Sequence, residues 1–160
     1  MAEPSPFLLS KAFSQLTSRK VAFVIGTALP ESKLTQIYGI YNVTPQNVAI
    51  IVKADLALLG SFAGALVGLP DMAVKEHLKT NPIDELLRDA ILEVFNIAAA
   101  TVTTEGRAVF TKMVTDPAYI DGPAEKAFKQ PFRRNYFNVT VDGYQGGKFT
   151  ILSDFIPTKL

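Results

Sequence analysis

Apolar positions recur at helical spacing near the start of the chain. Phe7, Leu8, Ala12, Phe13 and Leu16 follow Pro6 and stop at the polar run Thr17-Ser18-Arg19-Lys20, which predicts a first helix over about residues 6–17. Val21-Ala22-Phe23-Val24-Ile25 is short and rich in β-branched and aromatic residues, the composition of a strand. Beyond Pro30-Glu31-Ser32, segments 34–43 and 47–53 predict a hairpin turning at Thr44-Pro45-Gln46. Asp55 stands at the N-cap of a helix predicted over 56–67, with Gly68 as its stop before Leu69-Pro70. The small residues Gly60, Ser61, Ala63 and Gly64 in that helix leave room for close packing against another element. Segment 71–82, with Lys75, Glu76, His77 and Lys79, reads as a solvated connection ending at Asn81-Pro82, so His77 is expected at the surface.

The helical period returns over 83–104, and alternation then predicts strands at 108–115, 134–141 and 148–155. Asp142-Gly143-Tyr144-Gln145-Gly146-Gly147 is the expected turn between the last two. Hairpins outnumber βαβ alternation, so the expectation is one α+β domain over residues 1–160. It would hold a mainly antiparallel sheet of about six strands with about three helices packed on it.

Composition narrows the chemistry. The chain has 160 residues, no cysteine and one histidine, which excludes disulfides, Cys-ligated zinc, iron–sulfur clusters, thiol nucleophiles and a two-His metal site. Sixteen basic residues against fifteen acidic give a formal charge of +1, too little excess for nucleic acid as the main partner. Basic and aromatic residues do interleave at Lys126, Phe128, Lys129, Phe132, Arg133, Arg134 and Tyr136, and the simplest reading is a basic edge strand that resists aggregation. The uncharged stretch 56–70 is shorter than the ~20 residues of a bilayer span, so no membrane insertion is expected. Met1-Ala2-Glu3-Pro4-Ser5-Pro6 lacks the basic-then-apolar pattern of a secretory signal, which predicts a cytoplasmic protein.

Two sides of the 83–104 helix differ in kind. Leu87, Ile91, Val94, Phe95, Ala98 and Val102 fall within an arc of roughly 120° at ~100° per residue, the side expected to pack on the sheet. Asp89, Glu93 and Asn96 lie within roughly 60° of one another on the opposite side. Leu86, Leu92 and Ile97 flank them, so a short polar patch carries an apolar rim, as a partner-docking surface does.

The run Asp89-Ala90-Ile91-Leu92-Glu93-Val94-Phe95-Asn96 resembles the D/S-x-x-x-E-x-x-N signature of the CheC/CheX/FliY phosphatases of bacterial chemotaxis. The likeness extends over about residues 47–155, and Pro117-Ala118-Tyr119-Ile120-Asp121-Gly122 resembles the proline-led stretch that follows the motif helix in CheX. This sequence departs from the pattern in two places. Val94-Phe95 stands where the family usually has a small pair, and the glycine common after the Asn is absent from Ile97-Ala98-Ala99-Ala100. On the first helix, where two-site CheC proteins repeat the motif, only Ser10, Ser14 and Thr17 are available, which implies a single site as in CheX.

The resemblance implies a CheC-like fold and a phosphatase that hydrolyses the aspartyl phosphate of a CheY-like response regulator. Asn96 would orient the attacking water, Glu93 would pair with the regulator's active-site lysine, and Asp89 with Leu86, Leu92 and Ile97 would take part in docking. Magnesium would belong to the regulator, with no cofactor of the chain's own, and CheX relatives imply a homodimer. The alternative is a non-catalytic CheC-like or FliN-like binding module that docks a response regulator or a flagellar switch component, as FliN- and FliM-type relatives serve in the flagellar switch.

Overall fold

The computed structural model describes residues 4–80 and 83–154; Met1-Ala2-Glu3, Asn81-Pro82 and the expected strand end at Phe155 lie outside the described residues. Helix α1 (Pro6–Thr17) leads into β1 (Val21–Ile25), followed by β2 (Gln36–Thr44), β3 (Val48–Asp55) and α2 (Leu56–Val67). Helices α3 (Asp71–Leu78) and α4 (Glu85–Ala98) come next, then β4 (Arg107–Val114), a 3-10 turn at Pro117–Tyr119 and α5 (Pro123–Lys129). The chain then forms β5 (Arg133–Val141) and β6 (Tyr144–Ser153). The strands make one six-stranded sheet in the order β1-β5-β6-β3-β2-β4. Every neighbouring pair is antiparallel, as hairpin-rich patterning predicts.

Alternation along the strands divides the apolar side chains between two faces. One face carries the main core. There α1, α2 and α4 supply Phe13, Phe62, Leu87 and Ile91 against Phe23, Tyr41, Val52 and Phe149 of the sheet. Phe13 and Phe62 meet at 4.6 Å between ring centroids, and Phe23 meets Phe149 edge-on at 5.2 Å, the arrangement that ring quadrupoles favour. The other face is smaller. It holds Tyr38, Ile40, Ile51 and Leu152 beneath Ala124, Ala127 and Phe128 of α5.

Five α-helices are present among the described residues, two more than the apolar period predicts. Segment 71–82 is not merely a solvated connection: residues 71–78 are helical, with Val74 buried. The reason lies in α2. A Cβ at Gly64 would stand 2.2 Å from Val74 Cγ2, and one at Gly60 would meet Leu78 and Val74, so the two glycines form the seat of α3. A single buried valine in an eight-residue helix leaves almost no period to read. His77 is half-buried and its Nδ1 contacts the Asp84 carboxylate, tying α3 to the start of α4. Gly64→Ala is expected to lower stability by about 1–2 kcal/mol in urea denaturation, since overpacking outweighs the better helix propensity of Ala.

Helix α5 escapes the pattern for a similar reason, being seven residues long with only Ala124 and Ala127 fully buried. The turn expected over 142–147 narrows to Asp142-Gly143, with Gly143 at φ 78°, and β6 begins at Tyr144. Gly146 and Gly147 are strand residues because neighbours come too close for a side chain. Added Cβ atoms would lie 2.3 Å from the Val139 carbonyl oxygen and 2.7 Å from Asp55 Oδ2, respectively. The strand with Arg133 and Arg134 is not an edge. β5 is covered by β1 along residues 137–141, and only its first residues run past the end of β1. Asp55 occupies the N-cap position of α2, yet its side chain does not cap the helix. The buried carboxylate accepts instead from Ser32 Oγ at 2.5 Å, Gln36 Nε2 at 2.5 Å and Lys148 N at 2.8 Å, joining the 26–35 segment to the sheet. Among the described residues no helix is long and apolar enough to cross a membrane.

Candidate functional site

Helix α4 begins at Asp84, whose Oδ1 accepts from Leu87 N at 3.0 Å and so satisfies one of the free donors of the first turn. That bond, with the His77 contact, holds the Asp84 carboxyl below the usual carboxylate range. The inward stripe forms as expected: Leu87, Ile91, Val94, Phe95 and Ala98 are buried, and Val102 is buried beyond the helix end. The helix stops at Ala98, six residues before the predicted limit of 104. Thr101 donates from both N and Oγ1 to the Ala98 carbonyl, and the β-branched run Thr101-Val102-Thr103-Thr104 offers little helix propensity to oppose that closure.

Asp89, Glu93 and Asn96 are all exposed on the outer side of α4. Their side chains make no hydrogen bond or ion pair among the described residues, so their polar atoms face solvent without internal engagement. Spacings of four and three place successive members one turn apart, with Cβ atoms about 5–6 Å from each other. Leu86 is 52% exposed and Ile97 43%, while Leu92 is half-buried, so the rim is apolar and partly open. The exposed charges of the helix are Glu85, Asp89 and Glu93 against Arg88, which gives this face a negative character. Exposed carboxylates beside a carboxamide suit contact with a basic, hydrated partner surface and can align a water molecule.

Phe95, which separates Glu93 from Asn96 within the motif, is fully packed against β2. Its ring occupies the space above Gly39, where an added Cβ would lie 2.4 Å from Phe95 Cε1. The ring also stacks on Phe110 at 5.3 Å and an interplanar angle of 9°. In the last turn of α4 the Phe95 carbonyl accepts from the Tyr41 hydroxyl at 2.7 Å, while Ala99 N turns to the Asn96 carbonyl. Burial pushes the Tyr41 hydroxyl pKa up, which keeps it a neutral donor to that carbonyl. Gly39, Tyr41 and Phe110 thus fix the turn that carries Asn96. Local patterning does not connect these residues with the site; a lone glycine inside the strand 36–44 is the signal of a close approach.

The hydroxyls of α1 have structural partners. Ser10 Oγ accepts from Phe23 N at 2.9 Å, Ser14 Oγ accepts from Val21 N at 3.0 Å, and Thr17 donates to the Phe13 carbonyl at 2.7 Å. They join α1 to β1 or close its last turn. No second patch of the α4 kind is assembled from them.

Solved structures share this architecture. A chain of the CheX–CheY–BeF3–Mg2+ complex from Borrelia burgdorferi is similar over 94% of this chain and 96% of that one, at 14% identity and a TM-score of 0.54. FliY of Thermotoga maritima is similar over 90% of this chain and 81% of its own, at 12% identity and a TM-score of 0.55. The FliM middle domain from H. pylori is similar over 92% and 83%, at 12% identity and a TM-score of 0.52. No protein-family model and no curated protein matches the sequence. The chain therefore has the fold shared by CheX, FliY and the FliM middle domain.

Proposed function

We propose that the outer face of α4 docks a CheY-like response regulator and hydrolyses its aspartyl phosphate. The observation that carries this reading is the joint exposure of Asp89, Glu93 and Asn96 without internal partners, on a helix fixed to the sheet by Phe95. In the reaction a water oxygen attacks phosphorus in line, the bond from phosphorus to the aspartyl oxygen breaks, and inorganic phosphate leaves. Such a reaction needs positioning and charge neutralisation more than covalent help from the protein. The Asn96 carboxamide can accept from and donate to one water at once, holding it on the attack line. Glu93 pairs with a lysine of the regulator and sets the register of α4 across the phosphorylated site. Asp89, one turn earlier, adds to docking. The magnesium of this chemistry arrives bound to the regulator.

The test is to mix the purified protein with phosphorylated receiver proteins from its own genome and follow phosphate release. Faster release with one of them is expected. Binding without acceleration would leave a docking module, a reading that FliM and FliY suit as well as CheX does in fold. Failure of every receiver to bind would remove the phosphatase reading and any receiver-docking module, leaving a module that docks a flagellar switch component.

The apolar rim makes its own prediction. Leu92→Asp is expected to weaken regulator binding by about 1–3 kcal/mol in a calorimetric titration, because the rim is desolvated near the centre of the interface. The fold should stay intact with a modestly lower melting temperature, since Leu92 is half-buried and Asp is a poorer helix former than Leu.

A further inference from the structure

The interleaved basic and aromatic residues of segment 126–136 do not form a continuous stripe. Lys126 Nζ lies 3.6 Å from an Asp154 carboxylate oxygen and Lys129 Nζ 3.7 Å from one of Glu125, while Arg133 and Arg134 alternate onto opposite faces of β5. Phe128, Arg134 and Tyr136 converge instead on a cleft of about 280 Å³ on the face of the sheet that α4 does not cover. Strand register builds its floor. Lys53 pairs with Thr150, which pairs with Tyr136, so an ammonium group and two hydroxyls stand abreast on β3, β6 and β5. Arg134 lies two residues before Tyr136 on the same face, and Phe128 walls one side, held edge-on to Tyr38 at 5.5 Å.

The charges of this cleft are unbalanced. Lys53, Arg134 and Lys148 line it against Glu31 alone. Lys148 Nζ donates to the Pro30 carbonyl, a neutral acceptor, and Asp55 at the same end of the sheet is already engaged by three donors. Lys53 is half-buried, and neither it nor Arg134 has a hydrogen bond or ion pair among the described residues. Arg134 is exposed beside it, so the desolvation falls on Lys53 alone: partly withdrawing that ammonium from water without a counter-charge is costly, and an anion held between the two cations offsets that cost. A guanidinium fork, an ammonium and two hydroxyls together match the oxygens of a phosphate group.

We propose that this cleft binds the phosphate group of a small phosphorylated molecule, with Lys53 and Arg134 as its charged contacts and the Tyr136 and Thr150 hydroxyls as neutral donors. The volume admits a phosphate with a small body attached. The site is separate from α4, so it stands or falls independently of the regulator reading.

Titration of the full chain with ribose 5-phosphate, with inorganic phosphate and with ribose, at constant ionic strength set by chloride, tests it by amide chemical shifts. Saturable shifts at residues around Lys53 and Thr150 are expected with the two phosphates and not with ribose. Saturation by ribose 5-phosphate at lower concentration than by inorganic phosphate would identify an esterified ligand, and the reverse order free phosphate. Lys53→Met with Arg134→Met should weaken binding at least tenfold, whereas Lys126→Ala should not change it. Both substituted side chains lie at the surface or only half-buried, and an unchanged far-ultraviolet spectrum would verify folding. Lack of saturation in the wild type, or equal binding by the double variant, would overturn the proposal.

Discussion

In the Asn96→Ala variant, loss of phosphate from a saturating phosphorylated regulator is expected to slow by on the order of a hundredfold, equivalent to about 2.7 kcal/mol of transition-state stabilisation. Affinity for the regulator should change little, because an oriented water contributes once the attack begins and hardly at all to the encounter. Glu93→Ala should act differently. A charge pair that sets register contributes both before and during the chemical step, so binding and rate decline together. Both residues are exposed and Ala is the better helix former, so melting temperatures should stay near the wild-type value. Single-turnover decay of phosphorylated regulator, with a parallel binding titration, separates the two effects. An Asn96→Ala protein as fast as the wild type would show that the carboxamide does not orient the water.

Phe95→Ala should have the largest effect on stability, about 3–5 kcal/mol in chemical denaturation, the range for deleting a buried aromatic side chain. The ring fills the gap above Gly39 and stacks on Phe110, so its loss leaves a void between α4 and β2. The main-chain bond from the Tyr41 hydroxyl to residue 95 can persist, but the turn it anchors loses its packed support. Tyr41→Phe offers a milder comparison. It leaves the ring in place and removes a buried hydrogen bond, for an expected loss of about 1–3 kcal/mol because the carbonyl at residue 95 then lacks that donor. If Phe95→Ala costs no more than a surface substitution, the void closes by rearrangement and the ring does not brace the site.

The legible parts of this chain are those where burial imposes a period. Leu87, Ile91, Val94, Phe95 and Ala98 repeat often enough to define α4 and, by opposition, to place Asp89, Glu93 and Asn96 outward. The strands show themselves in the same way. Elements without a repeated apolar side do not: α3 buries Val74 alone, and α5 buries two alanines. Turn chemistry misleads where glycine serves proximity instead of conformation, as at Gly146 and Gly147, whose neighbours leave no volume for a Cβ. Asp55 shows a further limit. Its position before a helix suggests a cap, while its actual partners, Ser32, Gln36 and Lys148, come from distant segments that local patterning cannot bring together. Gly39 beneath Phe95 is the same kind of long-range fact, and it determines how firmly Asn96 is held.

The serine seam between α1 and β1 bears on stoichiometry. Ser10 and Ser14 already serve the amides of Phe23 and Val21, and a side chain committed to the neighbouring strand cannot at the same time present itself to an incoming protein. A titration should therefore saturate at one regulator per chain. Turning positions 10, 14 and 17 toward the α4 pattern would first remove the bonds that attach α1 to β1 and close its last turn, so a second site on this helix would cost the helix its anchorage.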